Sequence, residues 1–229
     1  MAMEKQTLGG AWPRICDYSG DLGVPPSRWR EKWSTHEMSA KRLHNAIRIF
    51  RPRRILETGT FEGLGTWVMA KALASNGGGE IITIDYDGDP EVAMPDTDWR
   101  ELDRIRAENL DRARHDFPQV SIEFIKGDSR KVLPDLFPAQ WDRWDLFFQD
   151  SMHFASGIRA EWDIVRPFAA PNALVVFDDV CLDWWKLGSY LRGVDDFCLH
   201  FAIHQMLERR WRCRSTAEGR AQFWAQRRG

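Results

Sequence analysis

The stretch Arg54-Ile55-Leu56-Glu57-Thr58-Gly59-Thr60-Phe61-Glu62-Gly63-Leu64-Gly65-Thr66 decides how this 229-residue chain folds. Its first half is a short apolar run ending in a turn signal, which reads as a buried strand. Its second half is a glycine-rich turn that opens a helix from Gly63 to Ser75, stopped by Gly77-Gly78-Gly79. Strand, tight turn and helix in that order form the first part of a β-α-β unit.

The alternation continues on both sides. Upstream, His36 to Phe50 carries apolar residues at helical spacing (Met38, Leu43, Ala46, Ile47, Phe50), and Pro52 closes the segment. Downstream, Glu80 to Asp85 is a second buried strand. Thr97 to Phe117 is a long amphipathic helix, with Thr97 or Asp98 as cap and Pro118 as stop. Val120 to Lys126 is a third strand, followed by a short helix near residues 130–136. Trp144 to Phe148 and Ala173 to Phe177 are the fourth and fifth strands, with a helix from Ala155 to Phe168 between them. Val194 to Leu207 reads as a further helix. Arg212–Ser215 and Gln222–Ala225, around Glu218-Gly219, read as a closing hairpin. The predicted fold is α/β: a Rossmann-like open sheet of about seven strands, mostly parallel with an antiparallel C-terminal hairpin, and helices on both faces. Residues 1–35, rich in Pro, Gly, Trp and charge, read as an N-terminal lid or extension with a short helix; residues 36–229 read as the main domain.

Composition narrows the function classes. Lys and Arg number 32 against 34 Asp and Glu, so the basic excess of a general nucleic-acid binder is missing. Four cysteines (Cys16, Cys181, Cys198, Cys213) form no CxxC pair and read as reduced thiols. The N-terminus lacks an apolar signal region, and no apolar run is long enough to span a bilayer. The expectation is a cytoplasmic protein with no nucleic-acid or membrane partner, and its aromatics suit a homodimer or higher homo-oligomer. The oddity is 12 tryptophans against 3 tyrosines.

In an open parallel sheet, ligands bind beyond the carboxyl ends of the strands, near the point where strand order reverses. The first such end has an acidic-x-Gly-x-x-x-Gly pattern, not the G-x-G-x-x-G of dinucleotide folds. Glu57 at the strand end would repel a phosphate and suits a cationic ligand, accepting a bond from an ammonium group. Asp85 ends the second strand, at the separation usual for a ribose acceptor. Asp128, in Lys126-Gly127-Asp128-Ser129 after the third strand, is placed to accept from an adenine amine. Each is weak alone; their serial order at three successive strand ends is much stronger.

From about Arg53 to Val180 the chain resembles class I S-adenosylmethionine-dependent methyltransferases. The resemblance implies that Glu57, Gly59 and Gly63, with Thr60 and Phe61 between them, lie by the methionine part of the cofactor. It also implies that Asp85 binds the ribose and that Asp128 and Ser129 lie by the adenine, with Asp150 bordering the cofactor too.

A second constellation follows the fourth and fifth strands: Asp150-Ser151-Met152-His153 and Asp178-Asp179. Clustered carboxylates repel one another unless a cation intervenes. Hard oxygen donors suit Mg2+, or Mn2+ or Ca2+. A divalent cation beside two vicinal oxygens lowers a hydroxyl pKa, and a nearby imidazole takes the proton. Catechol-type O-methyltransferases carry a Lys where this chain has His153. The Asp-x-x-His followed by Asp-Asp, with Asp150 and Asp178 28 residues apart, is more similar to the sugar O-methyltransferases of macrolide pathways. That resemblance implies Asp150, Asp178 and Asp179 as metal ligands and His153 as general base. A small hydroxylated acceptor, from a natural product or bearing a sugar, follows from it. Trp33, His36, Trp184 and Trp185 are candidate acceptor-pocket residues, flanking the site in sequence together with Trp12 and Trp29. Alternatives are a nicotinamide-dependent oxidoreductase on a similar sheet, and a non-methylating or scaffold-type relative. An RNA methyltransferase is disfavoured by the charge balance.

Overall fold

Five segments of five to nine residues become the parallel strands; the four inner ones are mostly buried, whereas Val120–Lys126 at the sheet edge begins by alternating buried and exposed residues. The inner part of a parallel sheet is covered on both faces, so its strands lack the polar alternation that the edge strand retains. The computed structural model describes residues 7–17, 19–24, 37–86, 98–151, 155–178, 211–215 and 222–228. In chain order the elements are α1 (Leu8–Ile15), α2 (Glu37–Phe50), β1 (Arg54–Thr58), α3 (Leu64–Ala74), β2 (Gly79–Asp85), α4 (Trp99–Asp116) and β3 (Val120–Lys126). Then come α5 (Ser129–Leu136), β4 (Trp144–Gln149), α6 (Ala155–Val165), a 3-10 turn (Arg166–Phe168), β5 (Ala169–Phe177), β6 (Trp211–Ser215) and β7 (Phe223–Arg227).

The strands form one seven-stranded sheet in the order β3-β2-β1-β4-β5-β7-β6. β1 to β5 are parallel, and β7 joins β5 and β6 antiparallel. The order reverses between β1 and β4, which puts the switch point at the carboxyl ends of those two strands. Successive strand residues feed opposite faces. Ile55, Leu146 and Phe148 pack with Leu43, Ile47, Val68 and Leu110 of α2, α3 and α4. Leu56 and Phe147 pack with Leu133 and Leu136 of α5 and with Ile158 and Trp162 of α6.

α1 belongs to the first of these faces. Leu8, Ala11 and Ile15 are buried in it, and Trp12 meets Trp224 of β7 edge-on at 6.1 Å. Trp12 is therefore a packing residue of this face. Most of the remaining described tryptophans pack likewise. Trp144, Trp162 and Trp211 form one aromatic cluster with Phe147 and Phe177, the Trp162 and Trp211 rings 5.1 Å apart.

Most boundaries agree with the pattern of the sequence. Asp98 caps α4, accepting from the backbone N–H groups of Arg100 and Glu101. β5 begins four residues before the apolar run that predicts it. Pro171 and the left-handed Asn172 (φ 68°) give that stretch the character of a turn, and a register shift opposite Trp144–Leu146 absorbs the extra residues. The helix expected to reach Phe168 ends at Val165, where the 3-10 turn with Pro167 takes over. The helix expected at Val194–Leu207 lies outside the described residues. Among the described residues no helix is long and apolar enough to cross a membrane.

Candidate active site at the switch point

The loop from Gly59 to Gly63 joins β1 to α3 and is held in an unusual backbone path. Gly59 (φ 91°) and Gly63 (φ 79°) are left-handed, as glycine allows. Phe61 is left-handed too (φ 45°), which is uncommon for a side-chain-bearing residue. Both its peptide groups are tied down. Its N–H donates to Asp85 Oδ2 at 2.7 Å, and its carbonyl accepts from Arg106 Nε at 2.6 Å. Asn109 Nδ2, one turn further along α4, donates to the Glu62 carbonyl at 2.7 Å. Gly59 lies against β4: a Cβ there would sit 2.2 Å from the Asp150 carbonyl oxygen. Asp150 N–H in turn donates to the Thr58 carbonyl at 2.8 Å.

Glu57 is turned inward, 1% exposed, and accepts from Thr66 Oγ1 at 2.5 Å. Burial pushes its carboxyl up to about 7, against the bonds from Thr66 and Thr83, with nearby Asp85 adding to the rise. It supports the loop from beneath. Its ordinary value is 4.5, so in the folded state it keeps a proton that the unfolded chain loses above that pH. The stabilisation is complete below pH 4.5 and is lost as pH rises through about 7, a swing of roughly 3 kcal/mol. Glu57→Gln is therefore expected to gain in melting temperature over the wild type as pH rises from about 5 to about 8. Parallel melting curves across that range check it.

Asp85 ends β2, its side chain 18% exposed beside the loop. Burial raises its pKa, and Arg106, whose Nη2 lies 3.0 Å from Oδ2, opposes this. Thr60 and Thr83 share a hydroxyl bond of 2.6 Å next to it. Asp128 caps α5, and both its carboxylate oxygens meet the Arg130 side chain, at 2.9 and 2.8 Å. That bonding holds the Asp128 carboxyl below its ordinary value. Ser129 is buried and gives its hydroxyl to Glu161. The Asp128 side chain is thus engaged by Arg130 and that of Ser129 by Glu161.

The acidic constellation starts at the neighbouring strand ends. β4 and β5 pair Gln149 with Phe177, so Asp150 and Asp178 are the next residues in register. Asp178 N–H donates to the Gln149 carbonyl at 2.9 Å, and the Asp178 side chain is buried. Asp150 and Asp178 supply hard oxygen donors at adjacent strand ends, a chemistry that fits a divalent cation. The other members of the predicted set, Asp179 and His153, lie outside the described residues, as do Trp33, His36, Trp184 and Trp185. Among the described residues no three His, Cys, Asp or Glu side chains converge as metal ligands.

Two supporting residues were not anticipated. Arg106 is 3% exposed and ties Asp85 to the Phe61 carbonyl. Glu161 of α6 is fully buried and accepts hydroxyl bonds from Thr58, Ser129 and Ser151. Burial raises the Glu161 pKa and those bonds oppose the rise. A signal for both exists in the sequence. Arg106 sits in the apolar stripe of α4 with Leu102, Leu110 and Ala113, and Glu161 sits in that of α6 with Ile158, Trp162 and Val165. A charge in such a stripe needs a buried partner.

A glycine-rich turn after β1, an acidic end to β2 and a strand order that reverses between β1 and β4 match the class I S-adenosylmethionine-dependent methyltransferase fold. Residues 56–180, more than half of the chain, match the family model described as a methyltransferase domain, and the chain belongs to that family. Membership selects methyl transfer over the nicotinamide-dependent alternative. Solved structures share the fold. The O-methyltransferase TomG from Streptomyces achromogenes, involved in tomaymycin synthesis and solved with S-adenosylmethionine, superposes with a TM-score of 0.63. It is 23% identical over 87% of this chain and 83% of that one. An O-methyltransferase from Bacillus cereus, in complex with S-adenosylhomocysteine, gives 0.67 at 16% identity, covering 88% and 86%. Cofactor-bound Rv0187 from MTB gives 0.64 at 20% identity, covering 97% and 93%. A search of curated proteins finds no sequence match.

Proposed function

We propose that the protein transfers a methyl group from S-adenosylmethionine to a hydroxyl oxygen of a small molecule, with a divalent cation at the acidic strand ends. The carrying observation is the register of β4 and β5, which sets Asp150 and Asp178 at adjacent strand ends beside the switch point, with Asp150 against Gly59 of the glycine-rich loop. When bound, the cofactor supplies an electrophilic methyl sulfonium and the cation a positive charge beside the acceptor oxygen.

The chain's residues do the rest. The loop from Glu57 through Gly59, Thr60 and Phe61 to Gly63 bounds the methionine part, and Asp85 accepts from the ribose. The Gly127–Ser129 turn borders the adenine. Asp150, Asp178 and Asp179 hold the cation, and His153 takes the proton of the acceptor hydroxyl as its oxygen attacks. Trp33, His36, Trp184 and Trp185 wall the acceptor and keep water from the reacting groups. A sugar-bearing or polyhydroxylated natural product fits this arrangement, since vicinal oxygens suit both the cation and the imidazole. The test follows transfer of a labelled methyl group into such acceptors. Activity is expected to vanish on chelation and return with added Mg2+; full activity in chelated enzyme overturns the metal assignment.

A further inference from the structure

Glu161 is the one acidic side chain among the described residues that ties three strand-end loops together. It projects from the buried stripe of α6 and is itself assigned to neither cofactor, cation nor acceptor. Its Oε2 accepts from Thr58 Oγ1 at 3.1 Å. Its Oε1 accepts from Ser151 Oγ at 2.7 Å and from Ser129 Oγ. A hydroxyl has a single proton to give, and here each hydroxyl gives it to the Glu161 carboxyl. Each of these bonds therefore fixes the orientation of its donor, and all three donors share one acceptor group.

The donors are not scattered. Thr58 precedes Gly59, Ser129 follows Asp128, and Ser151 follows Asp150. Each adjoins a residue at the cofactor crevice, and each comes from a different strand end, those of β1, β3 and β4. The Thr58 carbonyl also accepts from the Asp150 N–H, so two of the loops are joined by backbone as well. Loops that must meet one ligand from several sides need their separations set before it arrives, because ordering them on binding costs affinity.

We propose that Glu161 is a positioning residue for the cofactor: through Thr58, Ser129 and Ser151 it sets the spacing of the three loops and so the cofactor affinity, without touching the cofactor. This rests on the reading of the crevice as the S-adenosylmethionine site. The test measures S-adenosylhomocysteine binding by calorimetry, and melting temperature, in wild type, Glu161→Gln, Ser129→Ala, Ser151→Ala and their double variants. Trp162→Phe, the next residue of the same helix, is the packing control. Glu161→Gln is expected to weaken binding about tenfold or more, and each serine variant severalfold. Adding a serine change to Glu161→Gln should cost little further, because the serines act through the same carboxylate. Trp162→Phe should lower the melting temperature with the dissociation constant unchanged.

Unchanged affinity in folded Glu161→Gln, or serine effects that multiply independently of it, overturn the proposal. Should Glu161→Gln fail to fold, the Ser129→Ala and Ser151→Ala pair decides alone: a combined loss below the product of the single losses supports the shared carboxylate, and the full product or no loss overturns it. A wild-type protein that does not bind S-adenosylhomocysteine overturns the cofactor reading and this proposal with it, which separates that failure from a failure of Glu161 alone.

Discussion

A single methyl group added at Gly59 is expected to weaken cofactor binding at least a hundredfold. Two physical effects combine in Gly59→Ala. The backbone is left-handed there (φ 91°), a conformation that disfavours any Cβ. The new Cβ would also sit 2.2 Å from the Asp150 carbonyl oxygen and 2.7 Å from the Ser151 nitrogen. These are backbone atoms of β4's end, so no side chain can swing aside. Either the loop lifts from the sheet or the Asp150 segment moves, and both surround the proposed ligands. Overpacking of this kind costs about 1–3 kcal/mol and the left-handed strain about 1–2 more. The variant should melt several degrees lower and bind S-adenosylhomocysteine at least a hundredfold more weakly. Gly77→Ala is the control: it is equally left-handed (φ 97°), but nothing lies within 4 Å of its Cβ. It should carry the strain and keep the affinity.

The second large effect belongs to His153. An aliphatic hydroxyl is a poor nucleophile until its proton leaves, and the imidazole assigned to that proton follows Asp150 by three residues. His153→Ala is expected to lower turnover by about 10²–10⁴ with any acceptor the wild type methylates. Cofactor affinity should stay within about twofold, because the base acts on the acceptor and not on the ribose, adenine or methionine contacts. Single-turnover transfer of a labelled methyl group measures the first quantity and calorimetry the second. Turnover close to wild type would remove His153 from the mechanism.

Much of the fold is legible in the sequence because hydrophobic burial on both faces leaves a strong signal. The runs at Ile55–Leu56, Ile81–Ile82 and Leu146–Phe148 are apolar, and glycine, proline or a capping Asp punctuates most transitions. β5 is less legible, since Pro171 and left-handed Asn172 look like a turn and the sheet accommodates them through a shift in register. In the site, residue types at strand ends identify the crevice, while the direction each side chain takes is a matter of local competition. Asp128 at a strand-to-helix junction serves equally as ligand contact or helix cap, and Arg130 two residues on draws it to the cap. Glu57 looks available to a cation in sequence, and in the fold Thr66, in the first turn of α3, donates to it. Trp12 shows the same limit: its position beside prolines suggests a loop, and its partner Trp224 lies more than two hundred residues away.

Arg106 and Glu161 illustrate a different gap. Helical periodicity registers apolar residues and passes over a charge standing among them. Such a charge is costly to bury without partners, so its place in the stripe already implies a network. The partners come from other strand ends, at separations that only the folded sheet brings together.

The most direct measurement of the central claim is a calorimetric titration of wild-type protein and Asp85→Ala with S-adenosylhomocysteine, beside a nicotinamide dinucleotide. The account predicts saturable one-to-one binding of S-adenosylhomocysteine, weakened about 10- to 100-fold by the loss of the charged ribose acceptor, and no binding of the dinucleotide. Absence of S-adenosylhomocysteine binding, or equal affinity in Asp85→Ala, would contradict it.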